Sequence, residues 1–352
     1  MNNIPTLSNN KAGAEADFPR TPADDEDLVP EKKEQGTLLP HTASIGPVLL
    51  CCALFSTAVT LAWLYLPDGT FPFAKTSLIG FSIVTLLRLF GSLLLPVAFF
   101  ASWYRLPDRK ILGTYPGIGA FLISFVAGIP FSVVFTAIHN FLLRFFIIKD
   151  ISIPAPAFFF ISKDTSDMSR LLSLGVAFLI PILLQELFFR GIVFSFWPSP
   201  AAKARKILLS AVLFAVFIEN PIDFIPFFLL GILLGYVRQA TDNVLCPVLT
   251  QIAMLLTYRA FSSLLPYLDW MQIKNASDLD TASLYSSAAA LIISLVAFLP
   301  VLAQLRRLSH EADALDQTPE SKRKSFLRGQ ISWSLGLSFL LFAVNWVIML
   351  GI

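Results

Sequence analysis

The sequence predicts an all-α, polytopic transmembrane helix bundle of eight or nine spans. Two observations carry that expectation. Of the 352 residues, 55% are hydrophobic and only 14% charged, and the mean hydropathy is +0.70. That balance belongs to a chain whose main solvent is lipid. Apolar runs also follow one another from residue 43 onward, several of them reaching the ~20 residues a helix needs to cross a bilayer.

The same composition excludes other classes. A net charge of +2, with no basic patch interleaved with aromatics, argues against nucleic acid as a partner. Cys51, Cys52 and Cys246 form no CxxC and lie in or beside apolar runs, so they read as small hydrophobes, not as a disulfide framework or zinc site. The three histidines, His41, His139 and His310, are scattered, and the 33 phenylalanines suit lipid-facing and interhelical packing.

Residues 1–42 are polar and contain the acidic run Asp24-Asp25-Glu26-Asp27. They read as a disordered cytoplasmic tail, and residues 43–352 as the transmembrane domain. No apolar core follows a short basic start, so the first span is expected to remain as an anchor. The expected segments are Ser44–Leu66, Ser77–Trp103 with Arg88 inside it and a kink at Pro96, Gly117 to about Ile148, and Arg170–Trp197. Ile207–Glu219 and Asp223–Val237 look short and are expected to sit inside the bundle or join as a bent pair. Asn220-Pro221 separates them, because proline disfavours helix in the residue before it. Val244–Leu265, Leu284–Leu305 and Ile331–Ile352 complete the set. With nine spans and the N-terminus inside, 17 Lys and Arg fall on the inner side and six on the outer, which orients the N-terminus to the cytoplasm.

Within the fourth segment lies Gln185-Glu186-Leu-Phe-Phe-Arg190-Gly191. An acid and a base at membrane depth cost roughly 2.5–3.5 kcal/mol each on insertion scales. Four residues apart, they share a helix face and can neutralise each other. Either they are a buried pair that helps the helices assemble, or they belong to a site. Two further pieces follow in order: Phe214-Ala-Val-Phe-Ile218-Glu219, then Gly231-Ile-Leu-Leu-Gly235 leading to Gln251-Ile-Ala-Met-Leu255. The glycines form a small-xxx-small spacing that permits close helix approach.

In order, spacing and flanking residues, 170–260 resembles the CPBP family, which includes type II CAAX prenyl endopeptidases and bacterial proteins linked to bacteriocin processing and self-immunity. The resemblance implies intramembrane metalloprotease chemistry: a glutamate takes a proton from water and histidines hold a metal or that water. Matched position by position, the first glutamate of the family's EExxxR segment is Gln185, while Glu186 and Arg190 are retained as remnants of the motif. The histidine of its FxxxH segment is Ile218. The histidine and asparagine of its third segment are Gln251 and Leu255. Zinc sites want at least three His, Cys or carboxylate ligands, so no cofactor is expected, with zinc only if the site is rebuilt.

These replacements imply a catalytically impaired or inactive relative that binds a membrane peptide or protein partner in the bilayer, in a bacterial cell membrane. One alternative is an active endopeptidase rebuilt around Glu186, with Glu219 as a ligand and His139 approaching the core. The other is a transporter-like or scaffolding protein. Arg88, well inside its segment, is expected to partner Glu186.

Overall fold

The computed structural model describes residues 45–65, 67, 78–103, 108–149, 175–194, 203–218, 222–264, 281–315 and 333–350. The tail expected at 1–42 lies outside them. The helices are α1 (Ile45–Tyr65), α2 (Leu78–Leu89), α3 (Leu95–Trp103), α4 (Asp108–Leu112), α5 (Gly117–Ile148), α6 (Ile180–Glu186), α7 (Lys203–Phe217), α8 (Phe224–Thr241), α9 (Leu245–Leu264), α10 (Thr281–Leu315) and α11 (Trp333–Leu350). Among the described residues there is no strand, and β-type pairing is confined to one isolated bridge between Gly113 and Asn243.

Among the described residues, five helices are long and apolar enough to cross a membrane: Ile45–Trp63, Ser82–Trp103, Gly117–Ile148, Phe224–Thr241 and Leu284–His310. Leu245–Phe261 and Trp333–Val347 are shorter apolar helices. The chain is thus an integral membrane protein of helical-bundle type. Full-length spans among the described residues do not by themselves reach eight or nine. One expectation is corrected in detail: the sixth segment is not short. It continues four residues past Val237 to Thr241 as α8, because Arg238 is satisfied within the fold by Asp242 Oδ1 and the Arg190 carbonyl.

Three stretches widen to π-helical turns: Phe90–Leu94, Gly175–Leu179 and Leu187–Val193. The first ends just before Pro96, the position at which the sequence suggests a kink. The Leu95 N–H reaches back five residues to the Phe90 carbonyl, and Ser92 Oγ donates to the Arg88 carbonyl at 2.6 Å. Proline's missing N–H disturbs the regular ladder one turn earlier, and the helix resolves it by widening. The third π stretch begins directly after Glu186 and carries Arg190.

Helix α5 is the central post, with α9, α10 and α8 packed along it, while α7 packs on α8 and α1 on α11. Small residues set the closest approaches. A Cβ on Gly128 would collide with the Thr250 carbonyl. On either side of that contact Thr250 Oγ1 donates to the Ser124 carbonyl at 2.8 Å and Ser132 Oγ to the Met254 carbonyl at 2.9 Å. Helix α9 therefore has a single register on α5. At the α7–α8 contact, a Cβ on Gly231 would stand 2.8 Å from Ala211 Cα, and one on Gly235 3.1 Å from Ile207 Cγ2. The small-xxx-small spacing does what it does in membranes generally: it lets two backbones touch.

Candidate functional site

Helix α8 is the spine on which the buried charges are arranged, at three levels. In the middle, Arg190 Nη1 donates to Glu186 Oε1 at 3.0 Å and Nη2 to the Gly231 carbonyl at 3.1 Å. Both side chains are fully buried. From α9, Gln251 Nε2 donates to the same Glu186 Oε1 at 2.5 Å. The guanidinium carbon also lies 4.4 Å from the Phe214 ring centre, a cation–π contact inside the bundle. One carboxylate oxygen thus ties together α6, the π stretch after it and α9, and the arginine extends the tie to α8 and α7.

At the C-terminal end of α8, Arg238 Nη1 bonds Asp242 Oδ1 at 2.7 Å, and its Nε donates to the Arg190 carbonyl at 3.1 Å. Asp242 has φ 45° and Gly113 φ 87°. These left-handed residues let the chain ends meet: Thr114 N–H donates to the Asp242 carbonyl at 2.8 Å and Val244 N–H to the Leu112 carbonyl at 3.0 Å. A side chain at Gly113 would run into that same Asp242 carbonyl, which is why glycine stands there. At the N-terminal end, His139 Nδ1 of α5 stands 2.8 Å from Asp223 Oδ1.

The structure brings most of the sequence-derived candidates together. Glu186, Arg190 and Gln251 touch, and Phe214 stacks on the arginine. Gln185, Ile218 and Leu255 are buried. Two candidates are not where the sequence suggested. Arg88 does not partner Glu186, whose hydrogen bonds come from Arg190 and Gln251. Instead Arg88 Nε donates to Ser56 Oγ at 3.0 Å and its guanidinium lies 6.0 Å from the Phe217 ring centre. The physical reason is nearness along α1: Ser56 offers an acceptor at that depth, and Glu186 is already neutralised from its own helix. His139 joins Asp223, not the Glu186 cluster. Glu219 lies outside the described residues.

The sequence reading missed Arg238, Asp223 and the Gly231 carbonyl. The four-residue spacing of Arg238 and Asp242 was the available signal for the first, since such a spacing puts both on one helix face. Nothing in the sequence marks a particular backbone carbonyl as an arginine's acceptor.

The donor set of the described residues does not fit a metal. Among the described residues no three His, Cys, Asp or Glu side chains come together. The Glu186 oxygen that faces α9 already accepts two N–H groups. At the positions matching the family's further polar residues stand Ile218 and Leu255, which offer no lone pairs. Two oxygens remain buried without a hydrogen-bond partner, Glu186 Oε2 and Gln185 Oε1, and a single carboxylate with one amide falls short of three ligands.

Residues 167–257 match the family model described as Rce1-like, the type II CAAX prenyl endopeptidases. The match spans about a quarter of the chain and contains α6, the π stretch, α7, α8 and the Gln251 end of α9. No curated protein and no solved structure matches the chain.

Proposed function

We propose that this integral membrane protein uses its Rce1-like core to hold a membrane peptide or protein segment without cutting it. The observation that carries the reading is the state of Glu186. A general base needs a free lone pair facing a water that it can deprotonate. Here one Glu186 oxygen is saturated by the Arg190 guanidinium and the Gln251 amide, the other is buried with no hydrogen-bond partner among the described residues, and the neighbouring amide of Gln185 cannot take a proton near neutral pH. Ile218 and Leu255, both buried, put apolar volume where the family pattern has polar groups. Glu186 and Arg190 then act as a structural pair that anchors the core, and no cofactor takes part. The charge bias of the loops supports an N-terminus on the cytoplasmic side.

The test is cleavage and capture with the same preparation. Purified protein in lipid nanodiscs is mixed with membrane peptides, prenylated and unprenylated, and products are read by mass spectrometry. No cleavage is expected, and in-membrane crosslinking from Phe261 of α9, exposed at that helix's far end, recovers a discrete partner. Cleavage that disappears in Glu186→Ala would overturn the reading in favour of a rebuilt endopeptidase. Solute flux into liposomes without any crosslinked partner would overturn it in favour of a transporter. Reporter fusions at residue 110 and at residue 149 check the orientation, with the first expected inside and the second outside.

A further inference from the structure

The end of the bundle where α4 meets the α8–α9 turn carries cations that take no part in the central cluster. Arg109 of α4 and Arg205 of α7 are exposed, and Lys206 is half-buried, with its Nζ 4.5 Å from the Phe194 ring centre. Among the described residues neither Arg109 nor Arg205 is in an ion pair. Helices α4 and α7 both pack on the π stretch 187–193. A Cβ on Gly191 would stand 2.9 Å from Ile111 Cγ2 of α4, and Ser210 Oγ of α7 donates to the Phe189 carbonyl at 3.4 Å. Among the described side chains of α4, the π stretch, α7 and the turn 238–245, the one acid is Asp242. Its two oxygens are already engaged, Oδ1 by Arg238 at 2.7 Å and Oδ2 by the Thr114 hydroxyl at 3.3 Å.

The cations stand at the edge of the hydrocarbon, for a reason of length. Helix α8 has 18 residues, which at 1.5 Å per residue gives about 27 Å, close to the thickness of the hydrocarbon core. Its end at Thr241 therefore marks one boundary, and the Asp242 side chain, 59% exposed, lies on the water side. Helix α4 is pinned to that boundary by the bridge from Gly113 to Asn243. Helix α7 runs antiparallel to α8, with Ile207 opposite Gly235 and Ala211 opposite Gly231. Arg205 is thus level with Val237, about 6 Å inside Thr241 along the axis, and a long cationic side chain reaches the headgroups from that depth. The N-termini of α5, α7 and α9 come to the same boundary, and each adds partial positive charge. Three residues on from each arginine, on the same helix face, stands a leucine, Leu112 and Leu208, each 50% exposed.

We propose that α4 and the start of α7 form a rim that binds anionic phospholipid, with headgroup phosphates on Arg109, Arg205 and Lys206 and acyl chains along Leu112 and Leu208. Guanidinium and ammonium groups give phosphate oxygens charge-assisted hydrogen bonds, and basic residues at a membrane surface attract anionic headgroups. A phosphocholine headgroup brings its own counter-charge, so a headgroup of net negative charge is preferred. The leucine beside each arginine separates a lipid from a free phosphate, which has no chain to lay on it. Because α4 and α7 both touch the π stretch, lipid on the rim also braces the segment that carries Arg190. Arg306 and Arg307 provide an internal comparison. They are exposed on α10, which reaches the same bilayer face because it runs antiparallel to α5, Ser287 meeting Asn140 and Phe298 meeting Phe131. Helix α10 packs on α5 and α8, so these arginines lie at the face without belonging to the rim.

The experiment is native mass spectrometry of the full chain released from nanodiscs of equal parts phosphatidylglycerol and phosphatidylcholine with identical acyl chains. The wild-type chain is expected to retain phosphatidylglycerol over phosphatidylcholine by about fivefold. The preference should fall in part in Arg109→Gln and reach parity when Arg205→Gln and Lys206→Gln are added. It should persist in Arg306→Gln with Arg307→Gln. The single substitution is included so that it decides the matter if the triple one does not fold. Equal retention of the two lipids by the wild-type chain would overturn the rim, as would a preference unchanged in Arg109→Gln or lost equally in the α10 variant. Excess inorganic phosphate should leave the bound lipid in place, and its displacement would overturn phospholipid as the occupant in favour of a free phosphate.

Discussion

Arg190 to alanine is the substitution with the largest expected cost at the residue scale. It leaves the Glu186 carboxylate without its charge partner in a fully buried setting and removes the donor to the Gly231 carbonyl. Breaking such a pair from one side costs about 3–5 kcal/mol, so the melting temperature in detergent should fall by many degrees. Glu186→Gln should also be costly, though it keeps an acceptor for Gln251 and leaves the bond from Arg190 to the Gly231 carbonyl in place. It leaves Arg190 charged and buried, so the double change Glu186→Gln with Arg190→Met should recover part of the Arg190→Ala loss in a thermal melt. Gln251→Leu removes one donor from Glu186 Oε1 and should cost about 1–3 kcal/mol. If that change leaves the melt where it was, the hydrogen bond across α6 and α9 is not holding the core.

At the scale of elements, the decisive contacts are those where backbones touch. Gly128 meets the Thr250 carbonyl with no room for a methyl group. Gly128→Ala should therefore push α9 away from α5 at a cost of about 1–3 kcal/mol, lowering the melting temperature and the yield of a disulfide engineered between positions 124 and 250. Gly231→Ala should act likewise on α7 and α8. It has a further consequence, since the displaced Gly231 carbonyl is the acceptor for Arg190. The π stretch at 187–193 belongs to this scale as well. The wider turn follows Glu186 directly, and its Arg190 carbonyl is taken by Arg238 instead of being left to the helix alone.

For the whole molecule, the Rce1-like segment is enclosed by helices outside the match. Helix α5 receives α8, α9 and α10, and α11 bridges from α1 to the end of α7. On that bridge Asn345 Nδ2 donates to Thr57 Oγ1 at 3.0 Å, Trp346 Nε1 to the Val216 carbonyl at 3.3 Å, and Phe342 packs edge-on against Phe217 at 5.9 Å. Interhelical hydrogen bonds of this kind average about 0.6 kcal/mol in a membrane protein. Asn345→Leu should accordingly lower the melting temperature only slightly, whereas Trp346→Ala, which removes a large packed ring with its donor, should lower it clearly. A large loss from Asn345→Leu would mean that the bond, and not the surrounding packing, joins α1 to α11.

Composition and the order of apolar runs were enough to establish that the chain is a helical membrane protein, because the bilayer permits a buried backbone few other solutions. Local spacing was enough to pair Glu186 with Arg190, since four residues are one turn whatever the surroundings. The resemblance of 170–260 to a protease family was likewise legible in three short segments. Tertiary structure decided what lies between segments distant in sequence. It brought Gln251 onto Glu186, made the Gly231 carbonyl an acceptor, sent Arg88 to Ser56 and paired His139 with Asp223. Those contacts depend on helix register and on which small residues let backbones approach, and a one-residue shift turns a side chain about 100° around its helix. No pattern within a single helix encodes which face of a partner 65 residues away it will meet.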